Sequence, residues 1–318
     1  MHSGIRRTRQ AAVFLFFILS FSILLVRLFY LQAIGHGRFI KMANEQHTIS
    51  IELPPKRGTI FDRRMRPLAV NLNVDSVYAN CREIVNKRQA SIALSSVLNL
   101  NKDYVLERLS RDKAFVWIKR KVTADESRKL KRLKLKGIGI IKESKRFYPN
   151  QDLAAHVIGI ADIDNKGLEG LELLYDRYLK GVSGWLTTTQ DARRKILRAY
   201  HDELVLPRDG LNLVLTIDEV IQNIAERELR KAYDKYNARA ASIVVMNPIT
   251  GDILAMASLP SFNLNAPAKR SRDSVRNRVI NDFFEPGSVF KIVTAAAALE
   301  EDVVDFKSPF FCEHGEYR

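Results

Sequence analysis

The sequence contains little cysteine and little histidine. Its two cysteines, Cys81 and Cys312, are too few and too far apart to indicate a disulfide framework or a zinc ribbon. Six histidines are present, and no metal-ligand spacing connects His156, His201 and His314. We therefore predict no metal site and assign these histidines no function.

Glycine and proline are also scarce, with 15 and 10 residues in a chain of 318. The sequence has no low-complexity tract and no internal repeat. Together with 46% hydrophobic and 27% charged residues, this composition excludes a fibrous or a disordered protein. The length predicts two folded units and an appendage.

Acidic residues are outnumbered by basic ones, at 36 against 51, so the formal net charge is +15. Such a charge favours a polyanionic partner, which could be nucleic acid, anionic lipid or a phosphate-bearing substrate at a membrane. Charge alone does not choose among the three.

Only one long apolar run occurs. Residues 11–26 carry no charge and would form a helix of about 24 Å. If Arg27 turns its guanidinium toward the membrane surface and the helix continues to Leu31, the segment 11–31 reaches roughly 31 Å, which spans a hydrocarbon core. No small-residue cleavage site follows, so the pattern favours an uncleaved transmembrane anchor over a signal peptide.

Basic residues flank the anchor unequally. Arg6, Arg7 and Arg9 precede it, whereas Arg38 and Lys41 follow it. This small excess predicts that residues 1–10 form a cytoplasmic tail and that the bulk of the chain lies outside the membrane.

Residues 45–205 have a mixed pattern that predicts an α+β domain. The β-rich stretches Val74–Ala79 and Phe115–Ile118 alternate with short helical signals.

A capping box at Thr123 and Glu126 predicts the start of one helix in this region. Leu130 and Leu133 would face inward. The basic residues of this helix and the positions just after it would face outward, and we interpret them as a solvated face rather than a binding patch: Lys129, Lys131, Arg132, Lys134 and Lys136.

A connector at Leu204–Gly210 predicts the start of a second domain, residues 210–318. Leu211–Ile217 alternates as a strand, and Asp218 would cap the following helix. The apolar side of that helix would carry Ile221, Ile224, Ala225, Leu229, Ala232, Tyr233 and Tyr236. Ser242–Met246 and Asp252–Ala257 predict a hairpin.

The strongest chemical signal is Ser288. Pro286-Gly287 ends a loop and an alanine-rich helix follows, so Ser288 falls near a helix N-terminus, where developing negative charge is stabilised. Lys291 returns to the same face one turn later. An amine held in its neutral form could take the proton of the serine hydroxyl.

The S-x-x-K spacing is weak by itself, because Ser110 and Lys113 match it in a charged stretch without a glycine turn. We interpret that second match as coincidence. At Ser288, local context supports a plain helix cap and a nucleophile equally.

The stretch from Glu285 to Lys291 resembles the first active-site motif of the class B penicillin-binding proteins. Further similarities follow in the family's order: Arg57–Arg63 and Arg66–Ala69; Gly167–Glu172, Tyr175, Asp176 and Gly181–Gly184; Thr216–Asp218, Ile221, Gln222 and Met246–Met256. Within the family, residues 57–69 and 216–256 look closer to the septal, cell-division enzymes than to the elongation enzymes.

The resemblance implies an α+β protein with one transmembrane helix, a pedestal domain of the dimerisation type at 45–205 and part of a transpeptidase domain, a mixed sheet with helices, at 210–318. It implies that Ser288 is the nucleophile and Lys291 the leading candidate for the base of a D,D-transpeptidase. The substrate would be the D-alanyl-D-alanine end of a peptidoglycan stem peptide, β-lactams would acylate the same serine, and neither a metal nor an organic cofactor would be needed.

The chain departs from the family after Lys291. After Lys291 it contains neither the S-x-N motif nor the K-T-G strand, which help relay protons and line the oxyanion hole in the family. We therefore expect a C-terminally truncated domain, with an alanine-rich helix whose apolar face lacks a partner. An alternative follows, in which the chain is a membrane-tethered, non-catalytic interaction module of the division machinery.

The resemblance also implies a location and partners. The chain would lie in the bacterial inner membrane with its bulk on the periplasmic or extracellular side, beside division proteins and a lipid-linked glycan polymerase. Nucleic-acid binding is the weakest hypothesis, because the basic domain would have to be cytoplasmic and no recognition motif is present.

Overall fold

The computed structural model describes residues 2–34, 37, 48–190, 196–197, 203–312 and 315. The chain divides into two compact units. Unit 1 comprises Met1–Gln151 and Ile158–Thr216, and unit 2 comprises Asp152–Val157 and Ile217–Arg318.

The N-terminal apolar helix is confirmed. Helix α1 runs from His2 to Phe29 and continues into a π-helical turn, Tyr30–Ile34. The stretch Ala12–Ile34 is long and apolar enough to cross a membrane by length and composition, and the described part of the chain buries none of it. At its end the Arg27 guanidinium lies 5.7 Å from the centroid of the Tyr30 ring, an arrangement that suits an interfacial position.

Unit 1 contains a first antiparallel sheet built around β6, Gly184–Gln190. Strand β1, Thr48–Leu53, pairs with one edge of β6, from Thr48 opposite Thr189 to Leu53 opposite Gly184. Strands β7, Ile196–Leu197, and β8, Glu203–Val205, pair with the other edge.

The second sheet of unit 1 is organised by the long strand β3, Pro67–Ala79. Strand β5, Ile138–Phe147, pairs with it along one edge, and strands β4, Val116–Val122, and β2, Ile60–Phe61, pair along the other. Strand β9, Leu213–Val214, lies parallel to β2. The predicted strands at 74–79 and 115–118 are thus confirmed.

The predicted strand Leu211–Ile217 is wrong in length, because only β9 is extended and paired. Thr59 O and Phe61 O accept hydrogen bonds from Leu213 N and Leu215 N, at 2.9 Å each. Strand β2 is only two residues long, so its parallel pairing with β9 is limited to two residues.

Three helices of unit 1 begin at side-chain caps, in the order α2, Lys87–Leu98, α3, Lys102–Ser110, and α4, Ala124–Leu133. The capping box predicted for α4 is present, since Thr123 Oγ1 accepts from Glu126 N at 3.2 Å and Glu126 Oε2 accepts from Thr123 N at 2.9 Å. Leu130 is buried as predicted. Leu133 is exposed, because the helix ends there and Lys134 adopts a left-handed backbone.

These helices and the β3–β4 strand pair enclose the main core of unit 1. Its buried members are Val77, Ala79, Cys81, Ile84, Ala90, Leu94, Leu98, Val105, Leu109, Val116, Ile118, Val122 and Leu130. Cys81 is therefore a packed apolar side chain in this core.

Two short helices, α6, Gly170–Leu174, and α7, Asp176–Leu179, complete unit 1. Glu172 of α6 is fully buried and binds two arginines, Arg57 and Arg146, through separate carboxylate oxygens. A buried charge is tolerated only when it is paired and hydrogen-bonded, so this network joins the beginning of the domain to its last helices.

Unit 2 is built on a hairpin, β10, Ala241–Met246, and β11, Ile253–Leu259, as the sequence predicted. Gly251 closes the turn with φ of 76° and donates to Asn247 O at 2.9 Å. Helix α8, Glu219–Lys235, packs on the hairpin, and the buried contacts are Leu229, Ala257 and Leu259.

The cap predicted for α8 is confirmed, since Asp218 accepts from Val220 N at 3.0 Å. Part of its predicted apolar side is wrong, because Ile224, Ala232 and Tyr236 are exposed. Gln222 is fully buried instead, and its amide donates to Met256 O at 2.9 Å and accepts from Met256 N at 2.8 Å. The buried side of α8 therefore includes a polar side chain that is hydrogen-bonded to the backbone of β11.

Short helices complete the described part of unit 2. They are α5, Ala155–Ile158, whose last residue belongs to unit 1; the 3₁₀ turn Pro267–Lys269; α9, Arg278–Asn281; the 3₁₀ turn Gly287–Phe290; and α10, Lys291–Glu300.

Candidate active site

Charged residues hold the segment that leads to Ser288. Arg278, the first residue of α9, pairs with Asp282 at 3.0 Å and with Asp273. Arg276 Nε lies 2.7 Å from Asp282 Oδ1. Asn277 caps α9 by accepting from Val279 N at 3.2 Å. Asp282, which takes part in these ion pairs, lies six residues before the serine.

Ser288 lies in the 3₁₀ turn Gly287–Phe290, which passes directly into α10. Gly287 opens the turn with φ of 54°, in the left-handed region that favours glycine. Val289 N donates to Pro286 O at 3.1 Å and closes the turn. The sequence Pro286-Gly287 thus ends the loop as predicted, and a tight turn places Ser288 just before the helix.

The structure does not support the plain-cap interpretation of Ser288. The cap positions are Pro286 for the 3₁₀ turn and Phe290 for α10, and neither makes a side-chain capping bond. Ser288 therefore occupies a position inside the turn, where the residue is exposed.

Lys291 is the first residue of α10 and is exposed like Ser288. Residues three apart in a helical run lie on the same face, so the turn and the helix present both side chains to the same side. That arrangement could place an amine near a hydroxyl, which is what activation of a serine nucleophile requires.

The apolar side chains around these two residues are uncovered in the part of the chain that the structure describes. Phe290, Ile292 and Val293 are all more than half exposed, and α10 has no buried residue. The described part of the chain therefore does not bury the apolar face of this helix.

The second S-x-x-K match has a different structure. Ser110 is the last residue of α3, and its hydroxyl donates to Leu106 O at 2.8 Å, four residues earlier. This is an ordinary helix terminus, and its serine hydroxyl is already used by the backbone. The two matches therefore differ in their local structure.

Among the described residues, no group of three or more His, Cys, Asp or Glu side chains could hold a metal ion. His156 lies in unit 2 with Nε2 at 2.8 Å from Ser274 O. His201 and His314 lie outside the described residues.

Sequence reasoning did not single out Glu226 and assigned His156 no function. Glu226 accepts hydrogen bonds from Ala154 N and from Gln222 Nε2, both at 2.7 Å. Burial raises the pKa of its carboxyl, while the hydrogen bonds from Gln222 and Ala154 act in the opposite direction. Polar residues spaced by four on the inward side of α8 were the only local signal.

Two family models match the chain. The model described as the penicillin-binding protein dimerisation domain matches residues 52–215, and the model described as the penicillin binding protein transpeptidase domain matches residues 241–318.

Curated relatives are similar over nearly the whole chain. Stage V sporulation protein D of Bacillus subtilis (strain 168) is 36% identical over 314 residues, which cover 97% of this chain and 48% of that protein. Peptidoglycan D,D-transpeptidase FtsI of Escherichia coli (strain K12) is 33% identical over 297 residues, which cover 90% of this chain and 50% of that protein. The chain spans about half the length of these curated relatives.

A solved complex between penicillin-binding protein PBP2 and MreC from Helicobacter pylori contains a similar chain, with a TM-score of 0.63 and 26% identity over 82% of this chain and 54% of that chain. A peptidoglycan synthetase from Bifidobacterium adolescentis ATCC 15703 has a TM-score of 0.54 and 23% identity over 83% of this chain and 53% of that chain, a likeness that concerns the fold. The dimerisation-domain match alone covers more than half of the sequence, and together with the other matches it shows that the chain belongs to the class B penicillin-binding protein family.

Proposed function

We propose that this chain supplies the membrane anchor, the pedestal and the nucleophile of a peptidoglycan D,D-transpeptidase of septal cell-wall synthesis. The observation that carries the proposal is the placement of Ser288 and Lys291 on consecutive helical turns, after a left-handed glycine and free of a capping role. Similarity to FtsI of Escherichia coli supports the reaction class.

In this proposal Ser288 attacks the carbonyl of a D-alanyl-D-alanine stem peptide while Lys291 accepts the hydroxyl proton. The terminal D-alanine leaves with a proton, and an acyl-enzyme ester remains on Ser288. The amine of a neighbouring stem peptide then attacks the ester, forms the cross-link and restores the hydroxyl. A β-lactam would acylate the same hydroxyl and stay bound.

The domain limits belong to the same proposal, with a tail at 1–10, an anchor at 11–31, a pedestal at 45–205 and the first part of the transpeptidase domain at 210–318. The apolar stretch Ala12–Ile34 and the family matches at 52–215 and 241–318 support these limits. The small basic excess before the anchor supports an inner-membrane protein whose folded units lie on the periplasmic or extracellular side.

We further propose that the pedestal and the anchor contact division proteins and a lipid-linked glycan polymerase. The similar PBP2 chain from Helicobacter pylori was solved in complex with MreC, which supports a role for protein partners in this fold.

A second candidate function is favoured by the uncovered side chains of α10 in the part of the chain that the structure describes. In that case the chain acts through its anchor and pedestal as a tethered interaction module without catalysis.

Labelling with a fluorescent penicillin separates the two functions. The wild-type chain, Ser288→Ala and the matched control Ser110→Ala are compared. Labelling of the wild type and the control, together with loss of labelling in Ser288→Ala, supports the nucleophile. If the wild type does not label, the chain is no transpeptidase by itself, and the same variants are tested in a version extended through S-x-N and K-T-G; failure there overturns the enzyme assignment.

A further inference from the structure

Six residues of the chain belong to unit 2 although the sequence on both sides of them belongs to unit 1. These residues are Asp152–Val157, here called the strap. Leu153, Ala154 and Ala155 of the strap are buried. The transpeptidase-domain match begins only at residue 241, so the strap is a part of unit 2 that lies far upstream in the sequence.

The first contact that holds the strap in unit 2 is a hydrogen bond from its backbone. Ala154 N donates to Glu226 Oε1 at 2.7 Å. Glu226 also accepts from Gln222 Nε2 at 2.7 Å, and Gln222 is itself bound to the backbone of Met256 in β11. The strap is therefore tied through α8 to the central hairpin.

The second contact that holds the strap is made by the side chain of His156. Its Nε2 lies 2.8 Å from Ser274 O, and because a carbonyl oxygen only accepts, Nε2 carries the proton and donates. The ring packs edge-on against Phe262, with centroids 5.7 Å apart and an interplanar angle of 90°. Phe262 and Ser274 are both buried, and the hydrogen bond is partly buried.

The acceptor of this bond belongs to the segment that leads to the candidate nucleophile. We call residues 271–282 the approach segment. Within it Ser274 Oγ donates to Ser271 O at 2.9 Å, and Arg278 binds both Asp273 and Asp282. Ser274 directly follows Asp273 in the chain, and Arg278 joins Asp273 to Asp282, so a restraint on Ser274 is transmitted to Asp282.

We propose that the strap is an integral part of the transpeptidase unit and that His156 is a positioning residue, which holds the approach segment and thereby the turn that carries Ser288. The link to catalysis rests on the proposed function. The placement of the strap and the restraint on the approach segment do not depend on the proposed function.

Two variants of the full chain test the proposal in detergent micelles. His156→Phe keeps an aromatic ring beside Phe262 but removes the donor. His156→Gln loses the ring but keeps a donor, because the glutamine amide nitrogen stands as many bonds from the backbone as Nε2 of histidine. Amide hydrogen exchange is measured by mass spectrometry over the approach segment, with α8 as the internal reference.

Loss of one partly buried hydrogen bond should make the approach segment of His156→Phe exchange about three- to tenfold faster, with α8 unchanged and with His156→Gln near the wild type. Unchanged exchange in His156→Phe, an equal increase in α8, or no rescue by His156→Gln would each overturn the proposal. If the wild type labels with penicillin, the rate should fall about three- to tenfold in His156→Phe and recover in His156→Gln. If the wild type does not label, the proposed function fails for the chain alone, while the exchange comparison still decides the role of the strap.

Discussion

Arg57 Nε lies 2.7 Å from Glu172 Oε2, and both side chains are buried. The other oxygen of the same carboxylate accepts from Arg146 Nε at 2.6 Å, and Arg57 Nη1 binds Asp176 at 2.7 Å. Two positive and two negative groups therefore share one buried network. The network joins two stretches of unit 1 that resemble the family, one beginning at Arg57 and one that includes Glu172 and Asp176.

Glu172→Gln should destabilise unit 1 strongly. The substitution keeps the shape of the side chain but removes the carboxylate that pairs with Arg146 and leaves Arg57 with Asp176 alone. Breaking a buried pair in this way costs roughly 3–5 kcal/mol. The free energy of unfolding from urea titration in detergent micelles gives the change.

The matched control is Asp112→Asn, which breaks the exposed pair with Arg82 at 2.9 Å. An exposed pair contributes about 0–1 kcal/mol, so the control should unfold almost like the wild type. Equal losses in the two variants would contradict a stabilising role for the buried network.

The local elements of this fold could be predicted from the sequence, and the long-range ones could not. The caps at Thr123 and Asp218 involve a side chain and a backbone amide within three residues, so the pattern alone determines them. The partner of Glu172 is 115 positions away in Arg57, and no periodicity points to it. A burial pattern also fails at helix ends, where Leu133 turns out to be exposed.

The same division holds at the candidate site. The turn at Gly287 and the spacing of Ser288 and Lys291 are local, and the structure has the predicted turn and helix there. The strap could not be predicted, because Ala154 and Glu226 are 72 positions apart and His156 and the carbonyl of Ser274 are 118 positions apart.

Thr123→Ala should remove one half of the capping box of α4 and lower the free energy of unfolding of unit 1 by about 1 kcal/mol. Thr250→Ala serves as the control, because Thr250 lies in an exposed turn and accepts only a long bond of 3.3 Å from Asp252 N. Urea titration should separate the variants, and an equal effect of both would show that the cap adds nothing beyond the loss of a threonine hydroxyl.

Gly287→Ala should weaken the turn that carries Ser288. A Cβ at this position meets nothing within 4 Å, so the cost is the left-handed backbone itself, with φ of 54° and roughly 1–2 kcal/mol for an ordinary residue. Amide exchange at residues 287–290 should rise several-fold, and penicillin labelling, where the wild type shows it, should slow.

Asparagine tolerates the left-handed region better than alanine. Gly287→Asn should therefore lie between the wild type and Gly287→Ala in both measurements. The reverse order would show that side-chain bulk and not backbone strain controls the turn.

Glu226→Gln should change how the stability of unit 2 depends on pH. Burial raises the pKa of Glu226 in the folded chain, so the folded state holds this proton more tightly than the unfolded state, whose pKa is about 4.3. The stability that this group contributes is present below that value and is lost as the pH rises through the folded pKa. Glutamine has no proton to lose, and its side-chain oxygen can still accept from Ala154 N.

The free energy of unfolding of Glu226→Gln relative to the wild type should therefore increase from pH 4 to pH 7. Glu228→Gln is the control on the same helix. Hydrogen bonds from Lys231 and Arg227 lower the pKa of Glu228, so its ionised form is favoured in the folded state, and its contribution is present at neutral pH and lost toward acid. The free energy of unfolding of Glu228→Gln relative to the wild type should therefore decrease from pH 4 to pH 7. The decrease should be small, because Glu228 is exposed. Parallel pH curves for Glu226→Gln and the wild type would show that the carboxyl of Glu226 titrates alike in the folded and unfolded chain, and that its burial beneath the strap has no energetic consequence.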